Sequence, residues 1–86
     1  MEKIKNFELH KYDELEKIES EIEKYKMNIL KIEDKITNLK ADQVLNKRNN
    51  SLQIERLEKE IQGIHDKIKI LEDKRRFLEE DLRRKI

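Results

Sequence analysis

Apolar residues recur along most of this chain in alternating steps of three and four. The first run is Leu15, Ile18, Ile22, Tyr25, Ile29, Ile32, Ile36 and Leu39, and the second is Ile54, Leu57, Ile61, Ile64, Ile68, Leu71, Leu78 and Leu82. This spacing places each run on one edge of a helix and is the heptad seam of a coiled coil. Arg75 alone interrupts the second run, at the seam position between Leu71 and Leu78. Ahead of the first run, Ile4, Phe7, Leu9 and Tyr12 fit the same rhythm only with a local shift through Lys11, a helical lead-in with a looser seam.

The two runs are out of phase. Counting sevens from Ile36 reaches Gln43 and Asn50, whereas counting back from Ile61 reaches Ile54, a slip of four residues across the midpoint. Between the runs lies Asn46–Ser51, with three Asn and one Ser in six residues. These side chains compete with helical hydrogen bonding and favour caps or left-handed turns. Asn50 followed by Gln53 has the spacing of a capping box, which starts a new helix at Ser51. Leu45 and Leu52 bracket the segment and are expected to pack together if the chain reverses.

The pattern therefore predicts one all-α coiled-coil module over residues 1–86, with a helix over about 3–45, a polar turn over 46–51 and a second helix over about 52–85. The favoured arrangement is an antiparallel hairpin. Its layers pair residues whose numbers add to 100, joining Ile18 with Leu82, Ile29 with Leu71 and Ile36 with Ile64, and setting Arg75 against the Tyr25 ring as a cation–aromatic pair. The alternative is a continuous parallel two-stranded coil about 130 Å long. The slip of four would then be a stutter, with polar layers at Gln43, Asn46 and Asn50. Lys67 with Glu72 and Lys74 with Glu79 have the spacing of parallel interhelical pairs, but Glu14 would face Glu19 and Lys35 would face Lys40, so charge does not choose between the two.

Composition narrows the class further. Hydrophobic residues make up 35% of the 86 residues and aromatic ones 5%, too little for a layered globular core. Charged residues reach 48%, but 21 basic against 20 acidic side chains leave no self-repulsion to keep the chain unfolded. Pro is absent and the single Gly, Gly63, falls on the outer face of the second helix, so nothing breaks either helix. Off the seam, Ile70 and Phe77 form a minor apolar stripe suited to a third or fourth helix. The sixteen seam residues are only partly covered in an isolated hairpin, so further association is expected, either with copies of itself, as a dimer or four-helix bundle, or with a helical protein partner.

Little in the sequence suggests chemistry. His10 and His65 are the only His residues and stand outside any zinc-spaced cluster; Cys is absent. Carboxylates lie on solvated helical faces, no Gly-rich phosphate loop occurs, and Ser20 and Ser51 have no partner His nearby, so no catalytic residue, metal, cofactor or small-molecule substrate is expected. Lys47 and Arg48 at the turn, with Lys74, Arg75, Arg76, Arg83, Arg84 and Lys85 toward the C-terminus, offer phosphate contacts. A helical arm on RNA or DNA is thus the alternative function, though a net charge of +1 disfavours it. No apolar stretch has the length of a membrane span or a signal peptide, so no membrane partner and an intracellular, cytoplasmic setting are expected. The expected role is a non-enzymatic interaction module: an oligomerisation scaffold, adaptor or small helical accessory factor.

Overall fold

A computed structural model describes the backbone of residues 2–84 and the side chains of residues 10–84. Helix α1 spans Glu2–Asn46 and helix α2 spans Ser51–Arg84. The chain turns back between them, and the two helices pack side by side into a rod of 68 × 15 × 15 Å. The hairpin is formed rather than the continuous helix, so the slip of four between the runs is absorbed by the turn. Lys85 and the side chains of Ile4, Phe7 and Leu9 lie outside the described residues.

The turn is built by its Asn side chains. Lys47 adopts φ 54°, the left-handed conformation that commonly ends a helix, although the residue is not Gly. Asn49 Oδ1 accepts the Ser51 N–H at 3.2 Å, and the Asn50 carbonyl accepts the Ile54 N–H at 3.0 Å, the first helical bond of α2. The side chain of Asn50 does not form the expected capping box with Gln53. Its Nδ2 reaches back to α1, donating to the Leu39 carbonyl at 3.1 Å and to Asp42 Oδ2 at 3.0 Å.

This cross-link places the first turn of α2 beside Asp42 rather than beside the end of α1, so α1 runs on for about one turn past the start of its partner. The register follows. Lys11 with Asp81, Tyr25 with Lys67 and Asp42 with Asn50 have numbers adding to 92, about one heptad short of the expected 100. Tyr25 accordingly receives Lys67, whose Nζ stands 5.8 Å from the ring centroid, and not Arg75. Flank charges favour the same register. Glu14 and Glu21 share a surface depression with Lys74, and a shift of one heptad would put Asp81 in place of that lysine.

The core is a single apolar strip between the helices. Near the open end Ile18, Ile22, Ile29 and Ile68 are buried, with Tyr25, Ile61, Ile64, Leu71 and Leu78 packed against them. Toward the turn Ile32, Ile36 and Ile54 are buried, flanked by Leu39 and Leu57. Leu45 and Leu52 do not pack together as expected: both project outward and stay exposed, because neither lies on the edge its helix turns inward.

Candidate interaction surface

All sixteen seam residues are buried or half-buried. Ile18, Ile22, Ile29, Ile32, Ile36, Ile54, Ile68 and Leu82 are buried. Leu15, Tyr25, Leu39, Leu57, Ile61, Ile64, Leu71 and Leu78 remain half-covered. The residues expected to hold a partner are therefore those that close the hairpin, and a further helix must engage the flanks.

Those flanks carry large apolar groups. Met27 and Leu30 are exposed midway along α1, Val44, Leu45 and Leu52 near the turn, and Ile70 and Phe77 on the outer face of α2. The stripe expected from Ile70 and Phe77 stands open to solvent at 66% and 63% exposure. On one side of the hairpin Leu30 joins Ile29 and Ile68 in a shallow groove whose rims are Lys26, His65 and Glu72. Apolar floor and charged rim together are the features that let a surface hold an amphipathic helix.

Lys11 is the residue the sequence reading undervalued. It lies seven positions before Ile18, in the seam frame, and is buried at 8% exposure, with its ammonium donating to the carboxylate of Asp81 seventy residues away. The frame itself was a usable signal, since a lysine on a seam requires an anion opposite. The anion's identity depends on the register.

The other ion pairs lie on solvated faces. His10 Nε2 lies 3.6 Å from the Glu14 carboxylate on an open face of α1, and the depression beside them is lined by α1 alone, with no second element to exclude water. The side-chain bonds from Asn46 and then Asn50 hold the Asp42 carboxyl below the ordinary carboxylate value. Those bonds serve the turn. Among the described residues no three His, Asp or Glu side chains come close enough to share a metal ion, and no helix is long and apolar enough to cross a membrane.

The basic residues singled out for phosphate contact are spread along the length of α2. Lys47 and Arg48 stand at the turn, whereas Arg83 and Arg84 end a helix of 34 residues, about 50 Å away at about 1.5 Å per residue. Between them Arg76 lies 3.3 Å from Asp73, Arg75 is half-buried and Lys74 shares a depression with Glu14 and Glu21, so these three cations are not presented together on one open face. No family model matches the chain, and no curated protein or solved structure matches it.

Proposed function

We propose that this chain is a non-enzymatic helical interaction module, a scaffold, adaptor or small accessory factor of the cytoplasm that works by presenting the outer faces of a pre-formed hairpin. The observation that supports this reading is the division of its apolar residues. One set is used within the chain, and a second set, including Leu30, Ile70 and Phe77, is left in water on helices already fixed in place. A pre-organised helix gives up little further conformational freedom on binding, which makes modest apolar patches effective.

The reading is tested by placing a photo-crosslinking side chain at Leu30, Ile70 or Phe77 in the living cell, with exposed Lys59 as the control position. Adducts to a polypeptide, whether a second copy or another chain, are expected at the three apolar positions and not at Lys59. Equal yields at all four positions would remove the basis for the proposal.

A further inference from the structure

One edge of α1 carries Glu19, Lys26, Glu33 and Lys40, seven residues apart, all exposed and alternating in sign. Such an array is its own complement when reversed. In antiparallel packing the same edge of each helix faces its counterpart, so residues adding to 59 come level, Glu19 with Lys40 and Lys26 with Glu33. We propose that a second copy of this chain docks antiparallel on α1, about a two-fold axis level with residues 29 and 30, forming these four opposite-charge pairs. This deepens the interaction reading above and rests on it.

The array fixes the register as well as the partner. A slip of one heptad in either direction sets Lys26 against Lys26 or Glu33 against Glu33, and a parallel copy sets Glu33 beside Asp34 while gaining no opposite pair. The apolar groups on the neighbouring rows fall where a two-fold contact needs them. Met27 and Leu30, 55% and 59% exposed, lie within three residues of the axis, so four large side chains gather at the centre. Ser20 and Ala41, both exposed, lie about 3 Å from level across the axis at ~1.5 Å per residue, and are small enough for close approach of the two helices.

The contact is confined to α1. The corresponding edge of α2 carries Glu58, His65, Glu72 and Glu79, all exposed or half-exposed, and a face-to-face stack of hairpins would oppose these acids. The α2 helices therefore lie outboard, with the Ile70 and Phe77 stripe still open. Solvated ion pairs are individually weak and screened by salt, so the dimer forms at high protein concentration and loosens as salt rises.

Sedimentation equilibrium of the full chain tests this with Lys26→Glu and Glu33→Lys, two exposed positions at which circular dichroism checks that the helices persist. Each variant alone should self-associate at least tenfold more weakly than the wild type, because two attractive pairs become repulsive. An equimolar mixture of the two should recover association, because the heterodimer regains all four opposite pairs. Leu30→Cys should form an intermolecular disulfide under oxidation, whereas Lys59→Cys should not. Wild-type association in both single variants, a mixture no tighter than its components, or a wild-type chain that stays monomeric up to millimolar concentration would each overturn the proposal. The broader reading has its own separate test, since cellular adducts at Leu30 to another polypeptide would survive any of these results.

Discussion

The ammonium of Lys11 is held by the carboxylate of Asp81, joining the two helices at the end of the hairpin farthest from its turn. The two partners are unequally placed: Lys11 is buried, whereas the Asp81 side chain is 51% exposed. Their removal therefore has unequal consequences. Asp81→Ala takes a carboxylate away from a buried ammonium, at a cost of about 1 kcal/mol. Lys11→Met keeps the stem and removes the buried charge, while the Asp81 side chain is already half-exposed, so its stability should match or exceed that of the wild type. Urea unfolding of the two variants checks the order, and a Lys11→Met chain less stable than Asp81→Ala would contradict it.

The seam is where single substitutions cost most. Ile22, at 2% exposure, is the most deeply covered apolar side chain described. Ile22→Ala should cost about 2–4 kcal/mol by lost transfer energy and an unfilled cavity. Ile29→Asp or Ile68→Asp should open the hairpin altogether, because a carboxylate at either buried position would be stripped of water between the helices. Helicity measured by circular dichroism against temperature reads both effects, and an Ile29→Asp chain with wild-type melting would refute this account of the core.

Lys47 holds a left-handed conformation that a Cβ disfavours by about 1 kcal/mol. Lys47→Gly should raise stability by about that amount, offset in part by the greater freedom of glycine in the unfolded chain. A lower melting temperature for this variant would show that the side chain contributes something the turn geometry does not reveal.

Gly63 presents the opposite case. It lies mid-helix, and a Cβ built there meets nothing within 4 Å. Gly63→Ala should therefore stabilise α2 by about 1 kcal/mol from helix propensity alone. The dimerisation constant should not change, since Gly63 is remote from the proposed α1 contact.

Asp42 gives the turn a dependence on acid. The amide bonds from Asn46 and Asn50 favour its charged form and depress its pKa in the folded chain. The stability they confer is complete above the unfolded-state carboxylate value and is lost as pH falls through the lower native value. The advantage of the wild type over Asp42→Ala should thus be constant near neutrality and shrink below about pH 4, the ordinary carboxylate range. A gap that stays unchanged down to pH 2 would assign the effect to packing rather than to charge.

The helices and the turn were legible because three signals coincide there: seam periodicity, a run of Asn, and a change of phase. The reading of 3–45 differs from Glu2–Asn46 by a single residue at each end, and the reading of a second helix from 52 differs by one from its start at Ser51. The register was not legible from the seams, since sliding one Ile-rich edge along another by seven residues still sets apolar against apolar. It is decided by polar groups, namely Lys11, Asp81, Lys74 and the reach of Asn50. Asn50 misled for the same reason, because its spacing to Gln53 is local whereas its hydrogen bonds are to the other helix. The open surface was only half visible: Ile70 and Phe77 stood out as off-seam apolars, but the alternating charges of α1 acquire meaning only once its inner edge is known to be occupied.

The reversal between α1 and α2 takes only four residues, 47–50, and this shapes how the molecule comes together in time. The earliest contacts, Asn50 on Leu39 and Ile54 on Ile36, close loops of fewer than twenty residues, and each later layer is brought within reach by the one before it. Such ordering carries a low entropic barrier at every stage, so the chain should zip from its bend outward within microseconds to milliseconds. Force applied to the far ends would peel the layers apart in the reverse sequence, with the Lys11–Asp81 clasp yielding first.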